Sequence, residues 1–339
     1  MSIRLVQISD GRDRRVALVE EPRLRFLADV GSVFALAQIC LRENRSLTDR
    51  VQTLVSDETV LYDEVYGGAS AWRLLAPIDV PGAPERVLVT GTGLTHLGSA
   101  KDRQAMHLQT AQDLAKPVTD SMRMFRWGLE GGRPLAGAVG IAPEWFYKGD
   151  GGVLRAPFGP LCVPAYAEDG GEEAEIAGIY LVADGGTPVR LGMCTGNEFA
   201  DHKFERRNYL NLAGSKLREC AIGPELVVGA PFGDVKGSVS IERAGATIWH
   251  KAVESGEENM AHSLANLEHH HFKFAGHRTH GQVHVHFFGA HSLSFGEGLE
   301  LQHGDVMQVR FEGYGRALRN PVRMEDRSSN RPIQVRVLS

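Results

Sequence analysis

Apolar and polar positions alternate along much of the chain beyond residue 80, which is the pattern of short β-strands. The segments are RVLVTG, AEIAGIYLVA, GSVSIERAG, ATIWHK, VHVHFFGA, VMQVRFEG and the C-terminal IQVRVLS. Helical spacing of apolar residues is less common there and marks residues 99–110 and 263–276. Many short strands with few helices predict an α+β or mostly-β domain built on a rolled sheet.

The first 80 residues have a different pattern and predict a small leading unit. RLVQI and RRVALVEE can pair as strands around the turn SDGRD. Ser32 stands where it can cap a helix over 33–44, and Ser46 stands where it can cap a second helix. The proline-rich connector APIDVPGAPE then separates a predicted N-terminal domain, residues 1–80, from a predicted main domain, residues 81–339.

Composition excludes several classes of protein. Apolar residues make up 42% and the net charge is −5, so no basic surface is predicted for nucleic acid or an anionic membrane. No uncharged run approaches the roughly 20 residues that span a bilayer, and MSIRLVQISDGRDRR lacks the apolar segment of a signal peptide. The four cysteines contain no CxxC, so we expect them to be reduced. These features predict a soluble, cytoplasmic protein.

The stretch EEAEIAGIYLVADG has the pattern of a strand that is buried on both faces, yet it begins with glutamates. Glu173 and Glu175 share one face, about 7 Å apart. A solvated strand start is the commoner explanation of such a pair. A third carboxylate, Glu198, lies in a Gly-Asn-Glu turn at the end of another predicted strand and favours a metal site over a solvated strand start. Three carboxylates without a matching Cys or His pattern favour Mg²⁺ or Mn²⁺ over zinc.

Two other segments carry candidate chemistry. VTGTGLTHLGSA has His96 where G-x-G-x-x-G needs glycine and lacks a βαβ context, so we expect an active-site lid and neither a nucleotide nor an organic cofactor. The region 262–286 is rich in histidine. Consecutive histidines on a helix point in different directions and cannot converge on one metal, so we expect these side chains to be structural.

Four blocks then resemble the fumarylacetoacetate hydrolase family in order and spacing: EEAEIAGIYLV, GMCTGNEFADH, AGSKLRECAIGPELVVG and LQHGDVMQVRFEGYGRALRNPV. The resemblance covers about residues 72 to 323 and includes PEWFYKG, similar to the family's F-x-K segment. It implies an α+β fold with a mixed β-roll catalytic domain, a small N-terminal α/β domain and usually a homodimer.

The resemblance also implies roles for individual residues. Glu173, Glu175 and Glu198 would be the metal ligands, Glu198 standing where the family usually has Asp. Lys216 matches the family's active-site lysine, and Lys148 matches a position beside the substrate.

Three departures from the family pattern point to a divergent branch. The lid His–Glu pair of the hydrolases is incomplete: His96 is present, position 99 is serine, and the nearest downstream acid is Asp102. The segment that usually reads T-G-T-P is FFGAH, so His291 or Ser292 would replace the threonines that bind the substrate carboxylate. The S-A-R-D-W segment after the turn reads FADHK.

The branch most resembles proteins that act on 2-keto-3-deoxy sugar acids from pentose breakdown. It implies Mg²⁺-dependent dehydration of a 2-keto-3-deoxy-L-arabinonate-type substrate through a metal-bound enolate. Lys216 is the candidate base, because a nearby cation and burial would favour its neutral amine form. His96 is the candidate acid. Two alternatives stay open: hydrolysis of a C–C bond in a 2,4-diketo acid, with Asp102 replacing the missing Glu, and a catalytically silent keto-acid-binding protein.

Overall fold

The computed structural model describes residues 2–101 and 120–338, and its strands form two sheets. In chain order the strands are β1 (Ile3–Ser9), β2 (Arg14–Glu20), β3 (Arg23–Leu27), β4 (Val55–Leu61), β5 (Arg73–Leu74), β6 (Val87–Gly93), β7 (Glu144–Asp150), β8 (Leu154–Arg155), β9 (Leu161–Val163), β10 (Ala174–Val182), β11 (Pro188–Asn197), β12 (Cys220–Ile222), β13 (Leu226–Val228), β14 (Val235–Arg243), β15 (Ala246–Ser255), β16 (Val283–Phe287), β17 (Val306–Phe311) and β18 (Leu318–Met324). The longer helices are α1 (Val33–Glu43), α2 (Leu47–Leu54), α3 (Tyr62–Tyr66), α4 (Asp120–Gly131), α5 (His202–Arg207), α6 (Leu212–Lys216) and α7 (Leu264–Phe272).

The larger sheet runs in the order β4-β3-β2-β1-β13-β11-β10-β16-β6-β7, and the smaller one in the order β15-β14-β17-β18-β9. Most neighbouring strands are antiparallel, whereas β16 pairs with β6 in parallel. Short strands β5, β8 and β12 attach at the sides of the larger sheet. This mixed α+β arrangement confirms the predicted fold class.

Strand β10 lies inside the larger sheet, between β11 and β16, and all nine of its residues are buried. Ala177 and Ile179 belong to the hydrophobic core on one face, and Ile176 and Tyr180 to the core on the other. The predicted two-sided burial of this strand is therefore confirmed. Both faces of the strand are packed, so residues at its start are held in place from above and below.

The N-terminal strands are continuous with the rest of the larger sheet. β1 pairs with β13 in a register that sets Ile3 opposite Val228, and one apolar cluster joins Leu5 and Val33 to Ile179. The division at residue 80 into separate domains stays a prediction.

Both predicted N-caps of this region are confirmed. The side chain of Ser32 accepts from the backbone N–H of Ala35, and that of Ser46 accepts from Asp49, each at 3.0 Å. Each hydroxyl satisfies a backbone donor that the first helical turn leaves without a partner, a contribution of about 1 kcal/mol.

Some elements differ from the sequence prediction. The predicted C-terminal strand IQVRVLS is wrong: residues 331–338 form no strand, and Ile333 is 90% exposed, because this segment pairs with no other part of the described chain. The helix predicted over 99–110 begins at 97, and residues beyond 101 lie outside the described part. Within the described ranges, every helix falls short of the length and apolarity that a bilayer crossing requires.

Helix α7 packs on β16 through a buried histidine cluster formed by His271, His284 and His286. The Trp145 indole N–H donates to Nδ1 of His271 at 3.3 Å, so Nε2 of His271 carries the hydrogen and donates to Nδ1 of His284 at 2.9 Å. The ring of His286 stacks on that of His271 at 4.3 Å. Exposed His269 points away, as expected for neighbouring residues of a helix.

Burial keeps this cluster neutral. It lowers the pKa of His284 and of His286 to about 3, with repulsion from neighbouring histidines as the second cause, and it lowers the pKa of His271 even further. An unfolded histidine has a pKa near 6.5 and takes up a proton in weak acid. Because the unfolded state then binds more protons than the folded state, these residues make the protein less stable as the pH falls below 6.5.

We predict that H286Q loses less stability in weak acid than the parent protein. Removing one histidine that is neutral only in the folded state should reduce the loss in unfolding free energy between pH 7 and pH 5 by about 2 kcal/mol. Urea unfolding at both pH values measures the quantity. H250Q, at an exposed histidine, is the control and should match the parent protein. An unchanged pH dependence in H286Q would show that the cluster is not neutral when folded.

Candidate metal centre

Three carboxylates meet where β10 begins and β11 ends. Antiparallel pairing sets Ala174 opposite Asn197 and Glu175 opposite Gly196, which brings Glu198 beside Glu173. The backbone N–H of Glu198 donates to the carbonyl of Glu173 at 3.0 Å. One carboxylate oxygen from each of Glu173, Glu175 and Glu198 lies within 4.8 Å of the others, and all three side chains are buried.

Two buried lysines reach the same carboxylates. Lys216 is the last residue of α6, and its Nζ donates to Glu173 Oε1 and to Glu198 Oε2. Lys148 reaches from β7, and its Nζ donates to Glu198 Oε1 and to the carbonyls of Phe199 and Lys216, the last two at 3.0 Å. The structure therefore brings together the three predicted metal ligands, the predicted base and one predicted substrate-binding residue.

The carboxylates are in excess over the positive groups. Three carboxylates facing two ammonium groups leave one negative charge when all are ionised. Burial, followed by repulsion from Glu173 and Glu198, holds the pKa of Glu175 well above its usual value. Burial and Glu173 likewise raise the pKa of Glu198. A hard divalent cation, which takes oxygen ligands, would relieve this repulsion, so the donor set fits Mg²⁺ or Mn²⁺.

The loop after β16 holds the acidic strand start at two points. The backbone N–H of Gly289 donates to Glu175 Oε2 at 2.7 Å, and Ser294 donates through its N–H and its hydroxyl to Glu172, each at 2.7 Å. Gly289 has a φ of 100°, and a Cβ at this position would come within 2.1 Å of Thr95 Oγ1. Glycine is needed there because both the backbone conformation and the space exclude a side chain.

His96 lies next to this loop, and the hydrogen bonds of Thr95 define the tautomer of His96. Thr95 Oγ1 donates to the carbonyl of Phe288 at 2.7 Å, so Nδ1 of His96, 3.0 Å from that hydroxyl, must be the donor of the second bond. Its Nε2 then carries a lone pair and has no partner in the described chain. Burial, with repulsion from His291, lowers the pKa of His96 to about 3. This histidine is placed to accept a hydrogen bond.

The other predicted residues near the substrate are placed as follows. His291 is half-buried with its ring 6.2 Å from that of His96, and Ser292 is buried in the same loop. Phe288, where the family pattern has a threonine, packs its ring 5.2 Å from Phe232 in the apolar core. Asp102 lies outside the described residues.

Two buried polar residues on the segments that carry the site were missed from the sequence. Glu144 shares a buried face of β7 with Phe146 and Lys148, and its Oε2 accepts from the hydroxyl of Tyr209 at 2.6 Å. The alternation that includes Lys148 was the available signal. His202 places Nε2 3.0 Å from Glu173 Oε1. It lies in the FADHK segment, whose departure from the family pattern was visible.

Comparison with solved structures identifies similar folds. A 2-keto-3-deoxyarabinonate dehydratase in a hexagonal crystal form aligns with a TM-score of 0.69 and 18% identity over 95% of this chain and 99% of that one. A 2-keto-3-deoxy-D-arabinonate dehydratase complexed with magnesium and 2,5-dioxopentanoate aligns with a TM-score of 0.67, the same identity and the same coverage. A 5-carboxymethyl-2-hydroxymuconate delta-isomerase from Mycobacterium smegmatis aligns with a TM-score of 0.57 and 16% identity over 95% of this chain and 100% of that one.

These likenesses show the fold, and they confirm at that level the resemblance that the sequence motifs indicated. No protein-family model matches the chain, and no curated protein matches it in a sequence search. The chain thus shares its fold over nearly its whole length with enzymes to which its sequence is 16% to 18% identical.

We predict that E175Q is more stable than the parent protein in EDTA but is no longer stabilised by Mn²⁺. The amide removes a buried carboxyl from two like neighbours and also removes a ligand. A cation at 100 times its dissociation constant stabilises a folded protein by about 2.7 kcal/mol, so the parent protein should unfold at a higher temperature with Mn²⁺.

E172Q is the matched control because Glu172 is equally buried but bonds to Ser294 outside the triad. Thermal unfolding with and without Mn²⁺ should show the cation's effect in the parent protein and E172Q. An equal effect in E175Q would remove Glu175 from the ligand set.

Proposed function

We propose that this protein is a divalent-cation-dependent enzyme that dehydrates a 2-keto-3-deoxy sugar acid of the 2-keto-3-deoxy-L-arabinonate type. The observation that carries the proposal is the buried set of three carboxylates and two lysines at the junction of β10 and β11. A protein of the same fold, complexed with magnesium and 2,5-dioxopentanoate, supports this substrate class. The enantiomer of the sugar acid is part of the test.

The charges of the site suit an anionic substrate. With His202 neutral and the other groups ionised, the three carboxylates and two ammonium groups carry one negative charge. Adding a divalent cation leaves one positive charge, which the carboxylate of a 2-keto acid neutralises. Because the site is buried, an uncompensated charge there would be costly, and charge balance favours a monoanion over a neutral sugar.

Glu173, Glu175 and Glu198 would hold the cation. A divalent cation on these carboxylates would polarise the 2-keto carbonyl and make the adjacent C3–H more acidic. Its charge would also disfavour the ammonium form of Lys216. Lys216 is an ammonium shared by Glu173 and Glu198 in the arrangement described, so it can act as base only after its proton has left. Lys148 keeps Glu198 in place while Lys216 changes its protonation state.

In the proposed reaction neutral Lys216 takes a proton from C3 and returns it to the hydroxyl that leaves C4. The C3–H and C4–O bonds break, a C3–C4 double bond forms, and one molecule of water departs. A proton then leaves C5 and one is added at C3, which moves the double bond to C4–C5, and tautomerisation of the resulting enol gives 2,5-dioxopentanoate. The resemblance made His96 the candidate acid. Because its Nε2 carries no hydrogen, we propose instead that His96 accepts a hydrogen bond from a substrate hydroxyl and that Lys216 is the acid.

C–C bond hydrolysis of a 2,4-diketo acid is the second candidate, and the tautomer of His96 favours it. A neutral imidazole with an open Nε2 can take a proton from water, which is what such hydrolysis requires. Asp102 as a partner of His96 remains part of this alternative. A catalytically silent keto-acid-binding protein is the third candidate, and both lysines then serve only to bind the anion.

We predict that the purified protein with Mg²⁺ converts 2-keto-3-deoxyarabinonate to 2,5-dioxopentanoate, and that K216A lowers kcat by about 10²–10⁴-fold because it removes the base. Both enantiomers should be supplied, and mass spectrometry distinguishes the products. K203A is the matched control, since Lys203 pairs with Glu300 near the surface and should leave the rate unchanged.

Other products would reject the proposal. Pyruvate with an aldehyde indicates aldol cleavage, and a carboxylic acid with a keto acid from a 2,4-diketo substrate indicates hydrolysis. Substrate binding without turnover, equal in the parent protein and K216A, favours the silent binder.

A further inference from the structure

His202 contacts one of the three clustered carboxylates and has no role in the proposed chemistry. It is the first residue of α5, four residues after Glu198. Its Nε2 lies 3.0 Å from Glu173 Oε1, the same oxygen that Lys216 contacts. Both the imidazole and the carboxylate are almost completely buried, with 1% and 4% of their side chains exposed. Such a buried contact holds a carboxylate in one orientation because water cannot replace the donor.

The space for the imidazole is provided by a glycine. A Cβ built on Gly171 would lie 2.3 Å from Nδ1 of His202, so any side chain at 171 would push the ring away from Glu173. Gly171 and Ala200 form an isolated antiparallel bridge, with N–H to carbonyl distances of 2.9 and 3.0 Å. The segment that precedes Glu173 is thereby tied to the segment that precedes His202.

The residue before His202, Asp201, fixes this segment through its carboxylate. The carboxylate of Asp201 accepts from the N–H of Phe204 and from that of Glu168, each at 2.9 Å, and pairs with Arg218 at 3.1 Å. The N–H of Arg218 donates to the carbonyl of Lys216 at 2.9 Å. His202 and Lys216 therefore approach Glu173 from segments that one buried ion pair connects.

We propose that His202 is a positioning residue that orients Glu173 for a divalent cation. The inference rests on the metal site of the proposed function. His202 and Lys216 both contact Glu173 Oε1, so the imidazole is one of two buried partners that fix the orientation of this carboxylate. Partners that orient a metal-ligating group typically contribute 10- to 100-fold in metal affinity.

The test measures Mn²⁺ binding by calorimetry and by the electron paramagnetic resonance spectrum of the bound ion. H202F keeps a ring but has no donor, and it should weaken Mn²⁺ binding by about 10- to 100-fold. H202Q can present an amide N–H near the position of Nε2 and should restore affinity close to that of the parent protein. G171A leaves His202 in the chain but displaces its ring, and it should resemble H202F.

H262F is the control, because His262 is a buried histidine whose Nδ1 contacts Asn266 instead of a carboxylate of the cluster. It should bind Mn²⁺ like the parent protein. The positioning role is overturned if H202F and G171A bind Mn²⁺ as tightly as the parent protein, or if H202Q is as weak as H202F. A parent protein that binds no Mn²⁺ also overturns it.

Failure of the proposed function looks different. A parent protein that binds Mn²⁺ but does not dehydrate the sugar acid contradicts the reaction and leaves the role of His202 intact. Thermal unfolding in EDTA identifies a variant that fails to fold, and the remaining variants of the set then decide the question.

Discussion

The burial of three carboxylates in one small volume is the constraint on which the rest of this structure depends. Each of them would be stable in water, but side by side in the interior they repel one another, and the pKa of Glu175 rises accordingly. Part of this repulsion is offset by ion pairs with Lys148 and Lys216, whose ammonium groups are as buried as the acids. With all five groups ionised one negative charge remains, and the three carboxylates are grouped closely enough that they could hold a metal ion.

Positions in this cluster are set mainly by backbone and strand pairing. Glu173 and Glu198 are connected by a backbone hydrogen bond, and Glu175 is held by the N–H of Gly289. Such contacts do not depend on long flexible side chains, so little entropy is lost when a ligand binds. The loop after β16 therefore has two roles. It holds Glu175 at the start of β10, and it carries His291, whose ring lies near that of His96.

Much of the fold was predictable because local patterns agree with tertiary structure. β10, the caps of α1 and α2, and the grouping of Glu173 with Glu175 follow from periodicity and short-range hydrogen bonding. Contacts between distant segments were not predictable in this way. The histidine cluster joins α7 to β16, and the hydroxyl of Tyr209 donates to Glu144 on β7. Residues 331–338 are the opposite case. Their apolar and polar positions alternate as in a strand, but no other strand of the described chain pairs with them.

The alternation at the start of β10 also restricts which strand pairings the chain tolerates. Glu173 and Glu175 face the lysines, whereas Glu172 points to Ser294. A slip of one residue would exchange the faces, pressing two charges into apolar packing and removing the contact of Lys216 with Glu173. Alternative alignments of this strand are therefore strongly disfavoured during folding. The clustered acids thus also act as a check on correct assembly of the sheet.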